Sequence, residues 1–239
     1  MTNINQLISI IIPVFNESES IGYLLDEVVN VMHTNKITFE IVVVNDGSQD
    51  STSNVLDELT IKIKELSVIS LRKNYGQTAA MAAGFDNSNG EIVITLDGDL
   101  QNDPNDIPIL ISHINEGYDL ICGWRYDRKD KLINRRIPSK IANKLIANVT
   151  GLKLHDYGCS LKAFKKEILD DIKLYGELHR FLPVLANIEG ATIKEIKVNH
   201  RIRKYGSSKY GIDRTFRVLM DLLTVWFMTK FLTRPMYGF

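Results

Sequence analysis

The sequence predicts an α/β protein built on a doubly wound, mostly parallel sheet. Three observations carry that prediction. β-branched apolar runs of strand length recur through the first half, stretches with helical apolar spacing separate them, and each run ends in a polar segment.

The first run, "LISIIIPV" (7–14), is almost uninterrupted in its apolar character, as expected of a strand covered on both faces. Ile21, Leu24, Leu25, Val28 and Met32 then repeat at helical spacing. "EIVVVND" (40–46) is the next strand, and Val55, Leu56, Leu59 and Ile63 mark the next helix. "SVISLR" (67–72), an Ala-rich helix over 78–85, "EIVITLD" (91–97), a helix over 106–116 and "DLICG" (119–123) continue the alternation. Strands joined through helices pair in parallel.

Composition fits a folded domain. The chain has 239 residues, 44% hydrophobic and 24% charged, enough for one large domain or a domain with an appendage. Its formal net charge is zero, but residues 1–110 hold five Lys/Arg and sixteen Asp/Glu, leaving 24 and 13 to the remainder. Acid in front and base behind admit two readings. Either two faces are solvated differently, or the back half meets phosphate groups or a membrane surface. Cys122 and Cys159 are too few for a disulfide framework and lack metal-ligand spacing, which suits packing roles in a reducing compartment. The leader "MTNINQ" has no positive charge, so the first apolar run reads as a strand and not a signal sequence. No uninterrupted apolar stretch approaches the ~18 residues of a membrane span.

Ligands of doubly wound sheets bind beyond the carboxyl ends of the strands. Here those ends are "PVFNE" (13–17), "NDGSQD" (45–50), "RKNYGQ" (72–77), "DGDLQ" (97–101) and "GWR" (123–125), all polar. A site at this edge is expected. It is not a dinucleotide or P-loop site, because G-x-G-x-x-G and G-x-x-x-x-G-K-[ST] are absent, and neither H-E-x-x-H nor G-x-S-x-G occurs.

The most informative segment is "VITLDGDLQNDP" (93–104), which drives a buried strand into Asp97, Asp99 and Asp103. Two carboxylates about 6 Å apart repel by about 3 kcal/mol at an effective dielectric of about 20. In an extended segment, Asp97, Asp99 and Gln101 face the same way. Three oxygen-bearing side chains suit Mg²⁺ or Mn²⁺, which in turn holds a diphosphate. A solvated acidic turn is the alternative reading.

"IIIPVFNE", "IVVVNDGSQDST", "RKNYGQTAAMAAGF", "ITLDGDLQNDP", "DYGCSLKAF" and "HRF" occur in this order across nearly the whole chain. Together they resemble glycosyltransferase family 2, and within it the polyprenyl-phosphate hexosyltransferases related to dolichyl-phosphate mannose synthase and bacterial undecaprenyl-phosphate glucosyltransferases. The resemblance implies a GT-A fold and inverting, Mg²⁺- or Mn²⁺-dependent transfer from a nucleotide-sugar. It implies that Pro13, Phe15 and Glu17 line the nucleobase and ribose pocket and that Asp46 contacts base or ribose. Asp97 and Gly98 then meet donor ribose or sugar, Asp99 and Gln101 hold the metal, and Arg125 lies near the diphosphate and the acceptor phosphate. Trp124 departs from the small residue usual before this Arg and bears on the shape of the sugar pocket. Asp156 matches an acid placed near the attacking group, its alternative being a turn cap, so the expected catalytic set is Asp156, Arg125 and Asp97. The wording of "NYGQTAAMAAGF" and "DYGCSLKAF" is closer to bacterial undecaprenyl-phosphate transferases and implies UDP-glucose.

The second half supplies an acceptor side. Residues 125–144 carry eight Lys/Arg against Asp127 and Asp130, and "KEIKVNHRIRKYGSSKYG" (194–211) is a second basic strip ending in a Gly/Ser turn. That turn and Lys209 suit a phosphate. The family's R-x-R-x-x-G-x-S-K motif appears as Arg201, Arg203, Gly206, Ser208 and Lys209. It implies that Arg203 and Lys209 reach the donor and that Arg125, Arg135, Arg136, Ser208 and Lys209 hold the acceptor phosphate.

Residues 212–235 form an apolar stretch with a narrow polar stripe at Arg214, Arg217, Asp221 and Thr224. It reads as an amphipathic helix in a membrane interface, with Trp226 and Phe227 inserted, or as a core helix. The expected division is a catalytic domain over 1–211 and an interface helix over 212–239. The stop at "RPMYGF" reads as a chain cut short of transmembrane helices. A homo-oligomer or a membrane-bound partner subunit is the expected assembly, at the cytoplasmic face of the membrane. Two further activities share the donor site: GDP-mannose-dependent transfer to polyprenyl phosphate, and transfer to a saccharide hydroxyl, which needs an acceptor-side base. A silent membrane adaptor conflicts with the intact "DGDLQ". Nucleic acid is not an expected partner, because the basic strips lack base-stacking aromatics.

Overall fold

A computed structural model describes residues 6–127, 143, 146–205 and 220–227. The expected alternation is present in order: β1 (Ile8–Val14), α1 (Ile21–Thr34), β2 (Phe39–Asn45), α2 (Thr52–Lys62), β3 (Leu66–Ser70), α3 (Gln77–Asp86) and β4 (Ile92–Thr95). A 3-10 turn at Pro104–Asp106 leads into α4 (Ile107–Asn115) and then β5 (Leu120–Trp124). Nearer the C-terminus lie elements without a clear signal in the sequence: β6 (Lys162–Lys165), α5 (Lys166–Asp170), a 3-10 turn at Leu178–Phe181, α6 (Leu182–Ile188) and β7 (Ile193–Lys197).

One seven-stranded sheet results, ordered β3-β2-β1-β4-β6-β5-β7. β1 pairs in parallel with β2 and β4, β2 with β3, and β5 with β7, while β6 runs antiparallel to both its neighbours. The sheet is therefore mixed and mostly parallel.

The alternation of side chains along β1 explains its apolar run. Ile8, Ile10 and Ile12 pack with Leu24, Leu25 and Val28 of α1, Leu56 of α2 and Leu110 of α4. Ile11 joins Val42, Val44 and Val93 against Ala80, Met81 and Phe85 of α3. A strand covered on both faces is mostly apolar, and Ser9, the polar residue of this one, is buried with its hydroxyl donating to Glu40. The Ala-rich character of α3 reflects close approach, since a Cβ on Gly84 would run into Ile11 Cγ2.

A third cluster closes the far end of the molecule. Ile146, Tyr157, Leu178, Phe181, Val184 and Leu185 enclose Leu222 and Val225 from the helical stretch 220–227. The same stretch leaves Met220, Leu223, Trp226 and Phe227 exposed. These eight residues thus contribute Leu222 and Val225 to the core and leave other apolar side chains at the surface. The rest of the expected interface helix and the boundary at 211/212 lie outside the described residues.

His179 in the second 3-10 turn ties this end to α3. Its Nδ1 lies 2.6 Å from Thr78 Oγ1, and both side chains are buried. Burial, with the nearby charges of Arg180 and Lys162, pushes the imidazole pKa from its ordinary 6.5 down to about 3. The unfolded chain takes up a proton below pH 6.5 that the folded protein refuses until about pH 3, so stability is lost as pH falls through that window. The slope contributed by one such group reaches about 1.4 kcal/mol per pH unit. The melting temperature of the wild type is expected to fall across this range, and His179→Gln to flatten the fall. Identical pH profiles for the two proteins would refute the assignment.

Candidate active site

Six strands point the same way, so their carboxyl ends form one edge, and the reversed β6 begins at that edge. Segment 156–161, just before β6, is delivered there by the reversal.

On the β1–β2 side, Pro13, Phe15 and Glu17 are half-buried and Asp46 is buried. Asp46 accepts from the backbone N–H of Tyr75 at 2.7 Å and of Gly76 at 2.8 Å, which pins the loop between β3 and α3. Asn16, at φ 53°, donates its N–H to Ser48 Oγ at 2.9 Å and accepts from the Gln49 N–H at 2.7 Å. Glu17 N–H reaches Thr52 Oγ1 at 3.0 Å. A cavity of about 200 Å³ opens between these loops and Tyr205. That is smaller than the usual ligand cleft and suits one part of a ligand.

Asp97 and Asp99 stand at the end of β4. The Asp97 side chain is half-buried, and burial together with the neighbouring Asp99 charge raises its pKa from the ordinary carboxylate value. Gln77 Nε2 donates to Asp97 Oδ1 at 2.8 Å. The Asp97 N–H and Ser160 Oγ both donate to Asn102 Oδ1, at 3.2 and 2.8 Å. Buried Lys162 adds a positive charge and is itself fixed by the carbonyls of Tyr157 and Cys159.

The expectation that 97–101 runs extended is corrected here. The chain turns at Gly98–Asp99, and Leu100 takes φ 62°, a conformation costly for a branched side chain. Gly98 is required by contact, because a Cβ there would lie 2.8 Å from Val14 Cγ1. The Gln101 N–H turns back onto Asp99 Oδ1 at 3.1 Å, while its side-chain Nε2 donates to the Arg201 carbonyl at 3.4 Å.

Arg125 leaves β5 and forms a forked pair with Asp156, Nε to Oδ2 at 2.7 Å and Nη2 to Oδ1 at 2.9 Å. Burial opposes its charge, but the bonds to Asp156 outweigh that and raise the guanidinium pKa. Asp156 also accepts the Gly158 N–H at 3.2 Å, so it is turn cap and orienting carboxylate at once. Trp124 stacks on His155 at 4.1 Å, with Tyr126 edge-on and Lys197 above.

After β7 the chain crosses the edge as a strap. Asn199 bonds Asp106 at 2.7 and 2.8 Å, His200 bridges Asn102, and the Arg201 N–H reaches the Gln101 carbonyl at 2.9 Å. The Arg201 guanidinium joins Glu27 at 2.6 Å and Asp103 at 2.8 Å. Arg203 pairs with Asp99, and Tyr205 stacks on Tyr23 at 6.0 Å.

The structure thus brings together Asp97, Gly98, Asp99, Gln101, Arg125, Asp156 and Arg203. Arg135, Arg136, Ser208 and Lys209 lie outside the described residues. Gln77, Asn102 and Lys162 are site residues that sequence reasoning misses. Gln77 sits in one of the polar segments that end the strands, and Asn102 and Lys162 lie within the motifs "ITLDGDLQNDP" and "DYGCSLKAF", whose pattern does not single out their side chains.

No cluster of three His, Cys, Asp or Glu side chains able to hold a metal occurs among the described residues. Asp99 and Gln101, the residues expected at the metal, carry oxygen donors of the kind that suits a divalent ion, and the Arg203 guanidinium on Asp99 shows that positive charge is favoured there. These residues fit a divalent ion.

The sequence profile of Glycosyl transferase family 2 matches residues 9–173. The chain belongs to this family. As a glycosyltransferase it is 45% identical over 236 residues to the dodecaprenyl-phosphate galacturonate synthase of Rhizobium johnstonii, covering 97% of this chain and 70% of that protein. It is 39% identical over 218 residues to the undecaprenyl-phosphate 4-deoxy-4-formamido-L-arabinose transferase of Proteus mirabilis, covering 91% of this chain and 67% of that protein. Its fold matches glucosyl-3-phosphoglycerate synthase from Mycobacterium tuberculosis, solved with Mn²⁺ and UDP-glucose, at a TM-score of 0.72 and 16% identity. That match covers 94% of this chain and 79% of the other. The mixed, mostly parallel sheet corresponds to the GT-A arrangement.

In this glycosyltransferase Arg125 and Asp156 are nearly enclosed, their side chains 14% and 6% exposed. Removing one partner of such a pair leaves a buried charge uncompensated, at a cost of about 3 to 5 kcal/mol. Urea unfolding of Asp156→Asn is expected to show a loss of about that size. A loss below about 1 kcal/mol, the range of exposed pairs, would show the pair to be solvated.

Proposed function

We propose that this glycosyltransferase moves a sugar from a nucleoside diphosphate donor to a polyprenyl phosphate at the cytoplasmic face of a membrane. The observation that carries the reading is that the two relatives differ in their named sugars and share the polyprenyl phosphate. The apolar surface of Met220, Leu223, Trp226 and Phe227 supports a lipid-side approach. Among the described residues no helix is long and apolar enough to cross a membrane.

Donor binding is assigned to the carboxyl edge. Pro13, Phe15 and Glu17 take the nucleobase and ribose, with Asp46 fixing the adjoining 75–76 backbone. Asp97, aimed by Gln77, faces the donor ribose or sugar. Asp99 and Gln101 hold Mg²⁺ or Mn²⁺, which when bound supplies charge neutralisation for the departing diphosphate. The acceptor needs little deprotonation, since a phosphate monoester has a second pKa of about 6. Asp156 is then free to act as the group that orients Arg125, and no strong general base is required. Arg125 is a preset donor for phosphate oxygens, and Arg135, Arg136, Ser208 and Lys209 complete the acceptor grip.

UDP is the proposed nucleotide. For the sugar, neither relative names glucose, and galacturonate in the 45% relative makes a uronic acid the first choice. Radiolabelled UDP-galacturonate, UDP-glucose and GDP-mannose, each with undecaprenyl phosphate, test the reading. Label is expected in the lipid fraction from a UDP-sugar, and Lys209→Ala should reduce transfer far more than donor hydrolysis by water. Label confined to soluble saccharides would replace the lipid acceptor with a hydroxyl one. Separately, Asp99→Asn is expected to abolish the dependence of UDP binding on Mg²⁺ or Mn²⁺ in calorimetry, and unchanged metal dependence would refute the metal assignment.

A further inference from the structure

Both oxygens of Asp99 are engaged. The Gln101 N–H donates to Oδ1 at 3.1 Å, and Arg203 Nη2 donates to Oδ2. A divalent ion on this carboxylate competes with a guanidinium for Oδ2. Asp99 is buried, so its charge is costly to leave without a cation.

The strap that carries Arg203 is anchored on both sides of it. Asn199 and Arg201 fix one end through Asp106, Glu27 and Asp103, and Tyr205 fixes the other on Tyr23. Between the anchors, Ile202 is 69% exposed and Lys204 is exposed, while the Arg203 side chain itself is 22% exposed. None of these anchors involves the Arg203–Asp99 pair, so breaking that pair leaves them in place.

We propose that Arg203 is an exchangeable counter-ion for Asp99. It holds the carboxylate until metal and nucleoside diphosphate arrive together, and then passes to the diphosphate. Two charges drive the exchange: a divalent ion beside a guanidinium repels it, and the diphosphate is the new anion within the same edge. Metal alone meets a competitor, while metal with nucleotide removes that competitor, so the two ligands bind cooperatively by linkage. The proposal rests on the metal assignment of Asp99 made above.

Mn²⁺ binding to the full chain, read from loss of the free-ion electron paramagnetic resonance signal, tests it without turnover. Arg203→Ala is expected to bind Mn²⁺ alone about tenfold more tightly than wild type, as release of one charge-assisted hydrogen bond would give. The gain in UDP affinity on adding saturating Mn²⁺ should shrink in the same variant. Arg203→Lys keeps the charge and should stay near wild type. Arg203→Ala with Mn²⁺ affinity equal to or below wild type overturns the exchange. Asp99→Asn separates the two failures. If it abolishes Mn²⁺ binding while Arg203→Ala changes nothing, the exchange alone is wrong; if it leaves Mn²⁺ binding intact, the metal assignment and the exchange both fall.

Discussion

Two carboxylates at the end of β4, Asp97 and Asp99, set the demand that much of the molecule answers. Each raises the energy of the other's charge, and burial strengthens the repulsion. Positive charge reaches them from three separate places: Arg125 after β5, Lys162 on β6 and Arg203 on the strap after β7. None is near them in sequence. The charge asymmetry between the halves therefore has an internal component, because Glu27, Asp99 and Asp103 of the acidic front are paired with Arg201 and Arg203 of the basic back. Neither separately solvated faces nor an external anion accounts for these pairs.

The reversal of β6 makes this convergence geometrically available. Had β6 run parallel to its neighbours, the segment before it would have begun at the opposite edge of the sheet. Running antiparallel between β4 and β5, it delivers 156–161 to the carboxyl edge, where Asp156 takes Arg125 and Ser160 takes Asn102. A mostly parallel sheet with one reversed strand can thus draw its site from both halves of the chain.

The first half of the fold was legible because β1, β2 and β4 are buried on both faces, the half-exposed edge strand β3 still carries β-branched residues, and α1, α2 and α4 each present an apolar stripe. β6 and β7 were not. "KAFK" and "IKEIK" are short and carry Lys at positions that read as solvated, yet Lys162 is buried and satisfied by two carbonyls that no local pattern announces. The identities of Asp97, Asp99, Arg125, Asp156 and Arg203 were legible from ordered motifs. Their geometry was less so, since the turn at Gly98–Asp99 depends on the contact of Gly98 with Val14 and on a left-handed Leu100. Gln77 and Asn102 act on Asp97 through tertiary contacts, which side-chain spacing along the chain does not encode.

Arg125 and Arg203 show how one residue type takes two roles at one site. Arg125 donates a fork to Asp156, whose Oδ2 also takes the Arg125 N–H at 3.3 Å, so backbone and side chain are fixed by the same carboxylate. A cation held that firmly serves preorganisation, because it loses little side-chain freedom when a phosphate arrives. Arg203 donates through Nη2 to Asp99 and lies between exposed neighbours on a strap anchored elsewhere. Its partner is a carboxylate assigned to the metal, so its pairing is the one that ligand binding can break. In the proposed exchange, the role of the partner carboxylate, more than the guanidinium's own chemistry, decides which arginine stays and which moves.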